Sequence, residues 1–334
     1  MNNIEVYDLE ITKSCMTYTG LNINNEEISQ FIIHKDKSEL SKMINHIKSL
    51  KGMIGFNNIN FDYPIIHYIF KQFCNTQNEY CYWNKEDYSD VIDKIFNEAQ
   101  RLINEQSKEA FNQIIAIKTS EVIVPQLDLF KVWHYNNKAR MTSLKSLEIA
   151  MNLPNVMDMP IDYKRDDITL DEVYNVILPY NLNDVEATYE FYKRSIEKIN
   201  LRKGLINKYN LPCINYPDSK IGEELVLKLY CEATNTNTWD VKKLRSERLK
   251  IALKDCIFDY IKFETPEFNN LLNIFNNKVI TETKGAIAES VIFNNFKYDY
   301  GTGGIHGCIK PGVYESNDEY LIIDADVKCG VLTH

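Results

Sequence analysis

Two carboxylates one residue apart interrupt an apolar run near the start of the chain, Ile4-Glu5-Val6-Tyr7-Asp8-Leu9-Glu10. The β-branched and aromatic residues of this segment predict a strand. In a strand, residues i and i+2 point to the same face. Asp8 and Glu10 can therefore reach into one place together. The plain alternative is a solvated pair on a half-exposed strand, because an acid-x-acid pattern is common by chance.

The pattern around that segment predicts an α/β layer. Residues 4–9, 12–19 and 28–35 carry short β-branched and aromatic runs separated by Asn-rich turns, the signature of an antiparallel meander. Ser38 is the expected cap of a helix running to about Leu50, with Leu40, Met43, Ile44 and Ile47 at core-facing spacing. Gly52-Met53-Ile54-Gly55-Phe56 reads as a buried strand and Asp62 to about Phe73 as a helix. Residues 84–118 look like a charged, largely helical insertion, and strand character returns over 122–130. Helices are expected over Thr142–Met151, near 170–178 and over 183–199. Strands first and helices interleaved afterwards imply a mixed sheet with flanking helices.

Two further motifs complete the chemistry. Asp62 ends Gly55-Phe56-Asn57-Asn58-Ile59-Asn60-Phe61-Asp62 and would open the following helix, where the dipole favours an acid. Tyr180 and Asp184 lie four apart in Tyr180-Asn181-Leu182-Asn183-Asp184, so on a helix they share a face. Read singly, each has a structural explanation: a helix-start acid, a core tyrosine, an exposed aspartate. Read jointly, four hard oxygen donors and one phenol are what phosphodiester hydrolysis with two metal ions requires.

The order, spacing and contexts of the three motifs resemble the exonuclease motifs of DnaQ-like 3′-5′ exonucleases, in the tyrosine-bearing form of proofreading family B DNA polymerases. The resemblance covers about residues 1–200. It implies a ribonuclease-H-like fold, a five-stranded sheet with the second strand antiparallel to the rest. It implies that Asp8, Glu10, Asp62 and Asp184 hold two Mg²⁺ or Mn²⁺ ions and that Tyr180 orients the water or shuttles its proton. It also implies that Asn57, with Asn58 as the runner-up, touches the nucleic acid, and that Phe61 and Tyr180 pack on its terminal bases. Ile11 stands where the first motif often has threonine, which weakens a substrate contact and leaves the metal ligands intact. The histidine-bearing relatives place their base where this chain has Pro179, so none of the six histidines fits that role. Asp128 reads as structural, with His134 nearby.

Past residue 200 the pattern changes. Leu211–Pro217 reads as a linker, Asp218 or Ser219 as the next cap, and residues 201–297 as mainly helical. Residues 298–334, through Tyr300-Gly301-Thr302-Gly303-Gly304 and Tyr320–Lys328, resemble the start of a phage-type polymerase palm, with Asp326 as its metal-binding aspartate and Cys329 where a serine would stand. The expectation is an incomplete palm without polymerase activity.

Composition sets outer bounds. No apolar run approaches the roughly 18–20 residues of a membrane span, and no signal peptide is visible, so the expected location is cytoplasmic. Eight scattered cysteines without a C-x-x-C pair predict reduced thiols and no zinc. A net charge of −9 speaks against a broad basic footprint, but acids at a metal site are neutralised by the metal. The patch Lys242–Lys250, five cations against one anion, is either a solvated helix face or a local hold on nucleic acid. The expected function is a metal-dependent 3′-5′ exonuclease on single-stranded or frayed DNA 3′ ends, of proofreading, viral type. The alternatives are an inert fragment or nucleic-acid-binding module, and an exoribonuclease on the same scaffold.

Overall fold

The computed structural model describes residues 3–74, 88–106, 117–137, 139–244, 248–282, 285–310 and 312–322. Asp326, Cys329 and Cys81 lie outside these residues, as do parts of the 84–118 insertion and of the Lys242–Lys250 patch. The chain divides into two compact units, Met1–Val241 and Lys242–His334.

The first unit is built on a six-stranded mixed sheet. β1 (Ile4–Ile11), β2 (Cys15–Asn22) and β3 (Ile28–His34) form the expected antiparallel meander, and β4 (Lys37–Ser38) adds a two-residue edge. β5 (Gly52–Gly55) runs parallel to β1, and β6 (Gln126–Asp128) parallel to β5, giving the order β4-β3-β2-β1-β5-β6. That is one strand more than expected, the addition being β4. Because β1 lies inside the sheet with partners on both sides, its carboxylates sit on a fixed backbone.

Helices cover both faces. α1 (Leu40–Ser49), α2 (Asp62–Phe73) and α3 (Tyr88–Gln106) pack on the face that carries Tyr7 and Leu9. The four positions singled out on α1, Leu40, Met43, Ile44 and Ile47, are all buried there. Each such side chain stabilises the fold by about 1.5–3 kcal/mol before entropy is counted. The opposite face carries Val6 and is covered from α4 (Leu129–Val132), α5 (Leu144–Ala150), α7 (Leu178–Arg194) and α8 (Ile196–Tyr209). α7 lies directly against β1 and β2. Period-2 alternation thus sends Tyr7 and Leu9 to one core and Val6 to the other, with Asp8 and Glu10 following Val6.

Three boundaries differ from the sequence expectation, each for a local reason. Ser38 does not cap α1: it pairs with Ile33 in β4, and Glu39 precedes the helix, its carboxylate accepting from the Ile32 amide at 3.2 Å. The strand expected over 122–130 contracts to Gln126–Asp128, because the Asp128 side chain accepts from the Phe130 amide and turns the chain into α4. Two helices were expected to meet between 178 and 183. Instead α6 (Leu170–Glu172) runs through a π-helical turn, Val173–Ile177, straight into α7, and the break comes at Ser195. Pro179 should clash with the carbonyl four residues back. The widened π turn immediately before it relieves that clash and keeps Tyr180 and Asp184 on one helix.

The second unit has its own small sheet. Ala288–Phe293, Phe296–Gly301 and Gly304–Cys308 form a three-stranded antiparallel meander. Its first turn is Asn294-Asn295, both left-handed at φ 51° and 62°, a pairing that suits the twist of a two-residue hairpin. Helix Pro266–Asn276 lies on this sheet, with the Phe268 ring 5.3 Å from Tyr298 and 5.7 Å from Phe293. Of the segment read as a palm strand, Tyr320, Leu321 and Ile322 are exposed and belong to no strand. Among the described residues no helix is long and apolar enough to cross a membrane.

The turn after β5 gives a direct test of this frame. A Cβ on Gly55 would lie 2.6 Å from the Asn58 Cβ, and that atom belongs to a buried side chain with nowhere to move. Gly55→Ala should therefore cost about 1–3 kcal/mol in urea unfolding. An unchanged midpoint would show that the turn is looser than its packing implies.

Candidate metal centre

β1 and α7 bring three of the sequence-selected acids together. Carboxylate oxygens of Asp8, Glu10 and Asp184 all lie within 4.8 Å of one another. Asp8 and Glu10 are half-buried at the sheet surface, and Asp184 is buried beneath them on α7. Asp62 arrives from a different direction, as the buried first residue of α2. It accepts a hydrogen bond from the Leu9 backbone, and its charge acts on both Asp8 and Glu10. It stands beside the triad and is not one of the three oxygens that fall within that distance.

The loop that delivers Asp62 is held by Asp128. Its carboxylate accepts from the amides of Asn57 at 3.0 Å and Ile59 at 3.3 Å, besides that of Phe130. Asn57 has the left-handed φ of 62° that asparagine tolerates, and its side chain accepts from Asn60 at 2.7 Å. Asn58 is fully buried and donates to Gln126 Oε1 at 2.8 Å, which in turn accepts from the Tyr7 hydroxyl at 3.0 Å. Its side chain faces the core and is closed to a nucleic-acid strand, unlike the nucleic-acid contact read from the sequence. Phe61 is partly buried against the α1–α3 core and keeps an accessible face.

Tyr180 and Asp184 share the inner face of α7, one turn apart. Burial, reinforced by the charges of Asp184, Glu10 and Asp8, pushes the Tyr180 hydroxyl far above the usual phenol range. It therefore remains a neutral donor at any working pH.

Two residues of the site escaped the sequence reading. Asn181, fully buried, donates to Asp8 Oδ2 at 2.8 Å and accepts from the Thr17 hydroxyl at 3.2 Å. It ties α7 to β1 and β2 and sets the direction of the Asp8 carboxylate. It lies inside the third motif, adjacent to Tyr180, so its neighbourhood was marked though its role was not. Lys145, on α5, places its ammonium 2.6 Å from Asp184 Oδ1, 3.5 Å from Glu148 Oε1 and 4.7 Å from the centre of the Tyr180 ring. Its helix was legible, but a single lysine on an amphipathic helix carries no signal of what it faces.

The electrostatics are those of crowded like charges. Burial first, then the charges of Asp62, Glu10 and Asp184, drive the Asp8 carboxyl well above its usual range, against the pull of the Asn181 hydrogen bond. Burial and the charges of Asp184 and Asp62 push Glu10 up to about 8, while Lys145 and a hydrogen bond with Asp8 act downward. Burial pushes Asp62 up to about 7, opposed by the backbone donors of Asp62 and Leu9. On Lys145, desolvation works against the charge, but Asp184 and Glu148 outweigh it and hold the amine protonated. All-oxygen donors of this kind fit a hard divalent cation such as Mg²⁺ or Mn²⁺, and no soft ligand stands among them. Cys15, Cys74, Cys213, Cys231 and Cys256 are free thiols at other places, Cys15, Cys213 and Cys231 being buried.

Comparison of the chain with protein-family models, with curated proteins and with solved structures finds no match.

A carboxyl whose folded pKa lies above its unfolded value holds its proton more tightly in the native state. Its burial is free of charge cost at low pH and destabilises the fold as pH rises toward the folded value. For Asp62 and Glu10 that window runs from the ordinary carboxylate range to about 7 and about 8. In EDTA, the melting temperature should fall between pH 5.5 and pH 8, with a smaller fall in Glu10→Gln. Magnesium should reduce the fall, because binding requires the acids deprotonated and releases their protons. Identical slopes in wild type and Glu10→Gln would show that these acids titrate normally.

Proposed function

We propose that the chain is a metal-dependent 3′-5′ exonuclease, a DnaQ-like, ribonuclease-H-like domain of the proofreading family B type, acting on single-stranded or frayed DNA 3′ ends. The observation that supports this most is the meeting of Asp8, Glu10 and Asp184 within 4.8 Å, with Tyr180 one turn before Asp184 on the same helix face. The sheet agrees with that fold: β1, β3, β5 and β6 share one direction, and β2 and the short β4 oppose it.

In this reading Asp8, Glu10 and Asp184 would hold one divalent cation, and Asp62, beside them at the start of α2, would help hold a second. Such ions supply an activated water and stabilise charge on the leaving oxygen. Water adds to the terminal phosphorus, the bond to the 3′ oxygen breaks, and the products are a nucleoside 5′-monophosphate and a shortened strand with a free 3′-hydroxyl. Tyr180, neutral and one turn before Asp184, orients the attacking water as a donor and does not take its proton. Asn181 keeps Asp8 turned into the site, and the Asp128-anchored loop keeps Asp62 there. Phe61, at the loop's end, presents a ring on which an unstacked terminal base can lie.

Labelled oligonucleotides test this directly. Single-stranded DNA should yield a 3′-to-5′ ladder with Mg²⁺ and none with EDTA. Asp8→Ala and Asp184→Ala should lose cleavage by about 100-fold or more, at or beyond the upper end of what loss of an outer partner of a metal ligand costs, while keeping their fold. Tyr180→Phe should lose less, since ligation survives. Near-wild-type turnover in either alanine variant would overturn the assignment. Ladders confined to RNA would transfer it to an exoribonuclease, and binding without cleavage to an inert module.

A further inference from the structure

The charge balance around α5 points to a second function for its polar face. Glu148 is fully buried, and its Oε2 has no hydrogen-bond partner among the described residues. A buried carboxylate oxygen left unpaired is costly, and such groups are expected to have a reason. Its other oxygen lies 3.5 Å from Lys145 Nζ, a loose pairing, while the same ammonium sits tightly, at 2.6 Å, on Asp184 Oδ1. Lys145 is thus shared unequally between a carboxylate inside the acidic triad and one outside it. The two α5 residues are three apart on one helix face, so Lys145 can exchange partners by side-chain rotation alone.

We propose that Lys145 is a displaceable counter-cation of the metal centre and that Glu148 is the buried seat that receives it when a divalent cation binds. The inference rests on the reading of Asp8, Glu10 and Asp184 as metal ligands. In the metal-free protein the ammonium neutralises part of a cluster that would otherwise repel itself. A divalent ion on Asp184 supplies more charge at the same place and repels the ammonium. Lys145 has three donors and needs an acceptor that is already desolvated and fixed. Glu148 offers one in Oε2, on the same helix, at no cost in backbone rearrangement. Glu148 therefore acts on metal affinity as a positioning residue, through Lys145, without touching the ion.

Magnesium titration by calorimetry on the full chain, free of nucleic acid, reads this without any cleavage assay. Glu148→Gln keeps the shape and removes the seat's charge, so it should weaken Mg²⁺ binding about tenfold or more, the usual cost of losing an outer partner of a metal ligand. Lys145→Met removes the competitor, so it should bind Mg²⁺ at least as tightly as wild type and melt lower in EDTA. In the Lys145→Met background, adding Glu148→Gln should change affinity by no more than about threefold, because the two effects act through one contact. A full tenfold loss in that background, or none in the wild-type background, overturns the proposal. If Glu148→Gln does not fold, the Mn²⁺-loaded crystal structure of the wild type decides. Lys145 Nζ should then lie about 3 Å from Glu148, and an ammonium still on Asp184 Oδ1 overturns the proposal. A wild type that binds no divalent ion refutes the metal reading itself, a result distinct from all of these.

Discussion

The packing of α7 across β1 and β2 is the contact on which the rest of the site depends. It forces Asp184 under Asp8 and Glu10, which β1 already holds on one face. Left alone, three or four carboxylates at such separations repel one another and resist burial. The surrounding structure offsets that repulsion in two ways. Asn181 donates to Asp8, and Lys145 donates to Asp184. Each of these is weaker than a divalent ion would be. Crowded carboxylates that native packing holds together in this way could hold a hard cation, because the cost of assembling the oxygen ligands has already been met by the fold.

The sheet and the helices divide the work. Hydrophobic packing on both faces fixes the position of β1, whose Tyr7 and Val6 enter opposite cores. Polar contacts then aim the individual acids. Asp128 is the clearest case: it is buried, it accepts from three backbone amides, and it thereby shapes the turn from β5 to α2 that presents Asp62. Its own carboxyl is pushed up to about 6 by burial, a cost that the amide donors and the charge of Lys131 reduce. The second unit rests on a thinner core, with Leu271 alone on its helix reaching full burial and aromatic contacts such as Phe275–Tyr300 at 5.6 Å doing much of the packing.

How much of this was legible beforehand follows from what periodicity can report. Alternation on β1 placed Asp8 and Glu10 together, and the spacing of Tyr180 and Asp184 placed them on one helix face, as the structure has them. The α1 core residues were readable for the same reason. What was not legible depends on contacts distant in sequence. Lys145 meets Asp184 across 39 positions and Asn181 meets Asp8 across 173. No local pattern encodes either. Asn58 was a candidate nucleic-acid contact by resemblance alone, yet the absence of a side chain at Gly55 lets it fold inward onto Gln126. The π turn before Pro179 was invisible too, since a proline ordinarily signals a helix start and here the helix passes through it.

The central claim is that these acids bind a divalent cation at one defined place. Anomalous diffraction from crystals soaked in Mn²⁺ tests it most directly. The account expects a peak bounded by Asp8, Glu10 and Asp184, with oxygen ligands at about 2.0–2.3 Å, as hard cations require. A fully ordered site with no anomalous peak among these three residues, or with the metal bound elsewhere, would contradict it.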